Sequence, residues 1–239
     1  MIYQHDKRIG FYDLDAAGNL KLTALLKHIN DAAWYNAESL GLGMEKTLEI
    51  GMVFVIQRFG IKIFSKPEMD ELITIKTWPG EVTRSAFKRQ GEILNSAGEK
   101  MIEWESLWVL IDIKERKIKR PTEFPIDIPV YGKQGVEVEA EKIKMPVASK
   151  ELASYSHNVQ YSELDMNSHM NNAIYADLVI NVLSKIEKQC IKNMKEVQFN
   201  YVNEAKLNDK ILVECRASEE VMHITGTSGE KVIFTAEIK

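Results

Sequence analysis

Apolar positions along this chain follow two periods, and the order in which those periods alternate predicts the architecture. From about residue 20 to 40, Leu22, Leu25, Leu26, Ile29 and Ala33 recur at three- and four-residue steps. That is the stripe of an amphipathic helix, and Gly41 and Gly43 offer stop signals. The period then drops to two. Val53, Val55, Gln57, Phe59, Ile61 and Ile63 fall on one face of a long strand, with Phe54, Ile56, Arg58, Gly60 and Lys62 on the other. Lys66-Pro67-Glu68-Met69-Asp70 reads as a turn, and further strands are predicted at 72–78, 84–94 and 100–112. One long helix followed by an antiparallel meander is an α+β pattern, not βαβ alternation. From about 125 to 150 the apolar periodicity disappears, and the stretch reads as a linker.

After that stretch the pattern begins again. Phe11-Tyr12-Asp13-Leu14-Asp15-Ala16-Ala17-Gly18-Asn19-Leu20 lines up with Tyr161-Ser162-Glu163-Leu164-Asp165-Met166-Asn167-Ser168-His169-Met170 at an offset of 150. Both lead into an apolar helix, the second carried by Ala173, Ala176, Ile180 and Leu183. Beyond it, Ile61-Lys62-Ile63-Phe64-Ser65-Lys66 matches Phe199-Asn200-Tyr201-Val202-Asn203-Glu204 at an offset of 138. A unit of roughly 100 residues with a helix and several strands is a duplicated domain rather than a solenoid repeat. The division predicted is 1–130, a linker at 131–152, and 153–239. The copies differ in chemistry. Asp15 keeps the acid of Asp165, but Asn167 faces Ala17, His169 faces Asn19 and Glu204 faces Lys66. A purely structural requirement would persist in both copies, so the second copy is where function is expected.

Composition narrows the classes. Hydrophobic residues make up 45% and charged residues 28%, a soluble globular balance. The net charge of −4 argues against a nucleic-acid partner. No run approaches the roughly 20 apolar residues that span a bilayer. Residues 1–8 are too polar for a signal peptide, and two cysteines, Cys190 and Cys215, make no disulfide framework, so a reducing cytoplasm is expected.

The stretch from Glu163 to Asn172 concentrates the candidate chemistry. Asp165, Asn167 and His169 recur at every second residue, as an extended segment would present them on one side, and Asn171 or Asn172 is placed to cap the following helix. Glu204 or Asp165 would serve as base or nucleophile, with a pKa raised by burial, while His169 and Asn167 position water and a carbonyl. Amides at the helix start would hold an oxyanion. The plainer alternative is that Asp165 and Asn171 cap a helix and His169 satisfies core polar groups. No HExxH, CxxC, Gly-x-Ser-x-Gly or glycine-rich phosphate loop is present.

At Asp165-Met166-Asn167-Ser168-His169-Met170-Asn171-Asn172-Ala173-Ile174-Tyr175 and again at Tyr201-Val202-Asn203-Glu204, the chain resembles the acyl-acyl-carrier-protein thioesterases. The first half is similar to that family across 31–40, 74–78 and 104–121. The resemblance implies a tandem, or double, hotdog: two long helices, each wrapped by an antiparallel sheet, with the sheets joined. It also implies hydrolysis of fatty acyl-carrier thioesters at Asp165, Asn167, His169 and Glu204, without metal or organic cofactor, and an acyl tunnel built largely from the first half. Two departures stand out. Plant members carry Cys after the Glu, where this chain has Ala205, and their transit peptide has no counterpart here, so a bacterial, cytoplasmic relative is expected. Arg116, Lys117, Lys119 and Arg120, in the one concentrated basic run, are the expected contacts for an acidic carrier protein. A fused pair of hotdogs can stand as a monomer or pair as a homodimer. The rival readings are an acyl-CoA thioesterase and a non-catalytic acyl-binding or dehydratase-like protein.

Overall fold

A computed structural model describes residues 2–146, 149–186 and 188–239. The first half contains β1 (Tyr3–Arg8), α1 (Leu22–Ser39), α2 (Met44–Ile50), β2 (Met52–Ile63), β3 (Leu72–Val82), β4 (Phe87–Leu94) and β5 (Lys100–Asp112), then a short β6 (Ile118–Lys119). The second half repeats the series as β7 (Lys150–Asn158), α3 (Ile174–Leu183), α4 (Lys188–Lys192), β8 (Glu196–Tyr201), β9 (Lys210–Ser218), β10 (Val221–Ser228) and β11 (Lys231–Ile238). All strands join one sheet in the order β1-β3-β4-β5-β2-β8-β11-β10-β9-β7, with β6 paired to β5. The second five strands mirror the first five. This is the α+β duplication that the pattern predicts and the tandem hotdog that the resemblance implies.

β2 and β8 form the seam, antiparallel to each other, and Gly60 pairs with Gln198, 138 residues further on. That separation equals the second repeat offset, so a pseudo-two-fold axis passes through this pair. Most of the change of offset from 150 to 138 lies in the first helix of each copy: α1 has 18 residues where α3 has 10. α1 lies against β1 and β3, α3 against β7 and β9, and the two helices touch. α1 turns Leu22, Leu25, Leu26, Ile29 and Ala33 inward, and Gly41 follows it in the left-handed conformation that ends helices. Residues of both halves, among them Leu26, Phe59, Ile61, Val179, Val197 and Phe199, share a single core. Among the described residues no helix is long and apolar enough to cross a membrane.

Two expectations about the strands change. A bulge between Ile56 and Arg58 breaks the alternation of β2, so Ile56 joins Phe59 and Ile61 in the core while Val55 is exposed. β3 continues past Pro79 to Val82 across an irregularity rather than stopping at Trp78. The polar edge strands β1 and β7 carry little apolar alternation and were not expected.

The stretch expected to be a linker is coil up to Ser149 wherever it is described, but it is anchored to the sheet. On the face away from the helices, Glu103 Oε1 accepts the amides of Glu137 (3.1 Å) and Val138 (3.0 Å), and Glu105 Oε1 accepts that of Ala140 (3.2 Å). Across the seam, Gln198 Oε1 accepts from Glu141 (3.1 Å) and Asn200 Oδ1 from Ile143 (2.9 Å), while their amide groups donate to Glu139 and Glu141 carbonyls. Side chains of alternate residues on β5 and β8 thus do what a neighbouring strand would do. Gly60 lies beneath: a Cβ there would come within 2.5 Å of the Glu139 carbonyl oxygen.

Candidate active site

The segment bearing Asp165, Asn167 and His169 is not extended. It is a closed turn, pinned by a bridge between Leu164 and Met170, with the Asp165 amide donating to the His169 carbonyl (2.8 Å). Asp165 Oδ1 accepts the amides of Asn167 (2.8 Å) and His169 (3.3 Å). The two-residue spacing therefore reflects a carboxylate catching its own downstream amides, an Asx-type turn. Copy one has the same turn. Asp15 Oδ1 accepts from Ala17 (2.8 Å) and Asn19 (2.9 Å), and Leu14 bridges Leu20. Ser168 takes the left-handed conformation that Gly18 takes in copy one.

The preceding acid is shared for a similar reason. Glu163 Oε2 accepts the Gln160 amide (2.8 Å) and meets His157 Nε2 (2.9 Å); Asp13 does likewise with Gly10 (2.9 Å) and His28 (3.1 Å). Burial of His28 outweighs Asp13 and lowers its pKa. The acid-Leu-Asp signature present in both copies thus builds a turn in both.

His169 is set apart from that scaffold. Its Nε2 lies 3.1 Å from Oε2 of Glu204, which follows β8. The same oxygen is 3.3 Å from Nη2 of Arg116, on the β5–β6 hairpin of the first half. Oε1 of Glu204 has no partner among the described residues. The side chains of His169 and Glu204 are 23% and 42% exposed, so the site is open to solvent and the apolar burial expected around the carboxylate is absent. Asn167 sits at the exposed tip of the turn, and among the described residues its carboxamide has no hydrogen-bond partner.

Beneath the site is an aromatic floor that the sequence did not announce. Tyr175 packs edge-on to Tyr201 (5.5 Å) and Phe234 (5.2 Å), and Tyr201 stacks on Phe199. Burial, more than the nearby Asp165 and Glu204 charges, pushes the Tyr175 phenol up to about 12, with the Ala205 backbone opposing the shift. Tyr201 Oη donates to the Asn172 carbonyl (3.2 Å), and the Ala205 carbonyl accepts the Met170 amide (2.8 Å). These bonds lock the turn to the segment carrying Glu204. Ala205 is fully buried in the core, so a side chain there points away from the open face of the site.

The helix start offers fewer donors than expected. α3 begins at Ile174, with Asn171 Oδ1 accepting the Ala173 amide (2.9 Å) and the Asn171 carbonyl accepting that of Ile174 (2.9 Å). Asn171 therefore opens a turn into the helix rather than capping it directly. Asn172 faces the other half and accepts from Asn30 Nδ2 (3.0 Å).

In copy one the equivalent place is taken by Lys66. Asp15, Asn19 and Lys66 line a small cavity of about 50 Å³ with Leu22, Leu25 and Ile102, and Lys66 Nζ donates to the carbonyls of Ile191 (3.0 Å) and Lys192 (2.9 Å). Burial lowers the Lys66 pKa, opposed by Asp15. Of the basic run, Arg116 meets Glu204, and Lys119 is held by Glu115 (3.2 Å) and Glu123 (3.9 Å), while Lys117 and Arg120 are exposed. Of the tryptophans, Trp104 and Trp108 belong to the main core, but Trp78 faces the anchored coil, donating to the Gly132 carbonyl (2.9 Å), and Trp34 is exposed.

Comparison with known proteins assigns this arrangement. The acyl-ACP thioesterase N-terminal domain matches residues 1–125, and the acyl-ACP thioesterase C-terminal domain matches residues 147–236. The chain belongs to the acyl-ACP thioesterase family. A curated relative in this family is the chloroplastic palmitoyl-acyl carrier protein thioesterase of Arabidopsis thaliana, 21% identical over 208 residues, or 81% of this chain and 50% of that protein. The chain spans about half the length of the curated relatives it matches. Among solved structures, an acyl-ACP thioesterase from Bacteroides thetaiotaomicron superposes with a TM-score of 0.85 at 22% identity, over 99% of this chain and 96% of that one. The 12:0-ACP thioesterase of Umbellularia californica gives 0.82 at 16% identity, over 100% and 96%. These likenesses fix the fold as that of acyl-ACP thioesterases.

Proposed function

We propose that this chain hydrolyses fatty acyl-acyl carrier protein in the cytoplasm, releasing the free fatty acid and the carrier thiol. The observation that carries the reading is the 3.1 Å contact between His169 and Glu204, two groups that copy one has replaced. Glu204 is the general base. Its Oε1 takes a proton from a water molecule as the water oxygen attacks the thioester carbonyl carbon. The carbonyl oxygen becomes an oxyanion, stabilised by a donor such as the Asn167 carboxamide at the tip of the turn. Collapse breaks the C–S bond, and the proton held by Glu204 passes to the departing thiolate. His169, with Nε2 3.1 Å from Glu204 Oε2, pairs with the carboxylate and orients it.

Asp165 organises the turn, because its Oδ1 is already occupied by two amides. Carrier recognition is supported by Lys117 and Arg120, exposed beside Arg116 on the basic hairpin of a chain whose net charge is −4. The family assignment supports the same substrate class.

The test is fatty acid release from matched acyl-carrier and acyl-CoA substrates by the parent, Glu204→Gln and His169→Ala. The parent is expected to prefer the carrier substrate, and each variant to lose at least ~100-fold in kcat. A parent preference for CoA removes the carrier assignment, and full activity in both variants removes the site.

A further inference from the structure

Arg116 links the two halves at the site. It comes from the first half, 88 residues before Glu204, and its guanidinium meets the same carboxylate oxygen as His169. The hairpin that carries it is internally tied. Asp112 Oδ1 accepts the amides of Lys114 (2.9 Å) and Glu115 (2.8 Å), the Asp112 carbonyl accepts that of Arg116 (2.8 Å), and the Lys117 carbonyl accepts that of Asp112 (3.0 Å). Arg116 itself has φ 53°, at a position in the turn where glycine or asparagine is the ordinary occupant. Glycine would make the same turn without the side chain. The titratable groups around Glu204 are His169 and Arg116 in contact, with Asp165 in the adjoining turn and the buried Tyr175 phenol below. Two basic side chains from opposite halves thus converge on Oε2, Arg116 as a hydrogen-bond donor and His169 in contact, and Oε1 is left without a partner among the described residues.

We propose that Arg116 is a positioning residue for the hydrolytic step, fixing the Glu204 carboxylate against His169 so that Oε1 faces the attacking water. The inference rests on Glu204 being the base. It gives the first half a share in the chemistry of the second. Because Arg116 is 70% exposed, the pairing is screened by salt.

The experiment measures kcat and KM for the parent, Arg116→Gly, Arg116→Lys and Glu204→Gln, on an acyl-carrier substrate and on the matching acyl-N-acetylcysteamine thioester, at low and high salt. Arg116→Gly is expected to lower kcat about tenfold on both substrates, with KM moving by no more than about twofold. Arg116→Lys is expected to recover part of the loss. Parent kcat falls with salt, and that of Arg116→Gly does not. The thermal midpoint of Arg116→Gly should not drop, since glycine suits the turn. An unchanged kcat in Arg116→Gly beside an inactive Glu204→Gln overturns the role of Arg116 alone. So does a rise in KM confined to the carrier substrate, which would make the residue a docking contact. Full activity in Glu204→Gln overturns the base assignment and this role with it.

Discussion

At the scale of single residues, the two copies separate scaffold from chemistry. Asp165 looked as reactive as Glu204 in the sequence, yet its Oδ1 holds the amides of Asn167 and His169, as that of Asp15 holds those of Ala17 and Asn19. An asparagine can still accept those two bonds through Oδ1, whereas alanine cannot. Asp165→Asn is therefore expected to keep kcat within about tenfold of the parent, and Asp165→Ala to lose ~100-fold as His169 drifts from Glu204. Steady-state kinetics on the two variants decide it, and an inactive Asp165→Asn would return Asp165 to the list of bases. The residues proposed to act were legible because they are absent from copy one: Asn167, His169 and Glu204. Arg116 was legible only as part of a basic run. Its meeting with Glu204 depends on a hairpin reaching across the seam, and no local pattern encodes a contact at that separation.

At the scale of elements, periodicity identified α1 and the meander because each has one face in the core and one in water. It failed where the backbone departs from a regular repeat. The bulge in β2 exchanges faces between Val55 and Ile56, and the coil at 131–146 has no period of its own because the sheet supplies its partners. That coil is fixed by buried groups: Glu103 and Glu105 are each 1% exposed, and their carboxylates are also met by Lys100 and Lys88. Its passage over Gly60 is tight enough to test. Gly60→Ala must push the coil off the Glu139 carbonyl contact and is expected to cost about 1–3 kcal/mol, read as a lower urea midpoint with an unchanged slope. A variant as stable as the parent would mean that the coil lifts without cost.

At the scale of the whole molecule, the two halves share one sheet and a main core but carry different polar groups at corresponding positions. Lys66 occupies the place of Glu204 and caps two carbonyls of the other half, Ile191 and Lys192. Lys66→Glu would aim a carboxylate at those carbonyls. It is expected to cost about 2–4 kcal/mol in denaturant unfolding and to restore no activity to a His169→Ala background. Recovery of activity there would show that the first copy keeps a latent site. The coil over Gly60 and Gln198 bears on how that difference arose. A single segment lying on a two-fold axis cannot itself obey the axis, since it has one direction and one sequence. In a pair of identical subunits every substitution strikes both sites together, so an exchange of acid for lysine would abolish both. Once one covalent chain runs across the axis, each position is inherited separately. The crossing segment thus leaves two equivalent positions free to differ, one now holding His169 and Glu204 and the other Asn19 and Lys66.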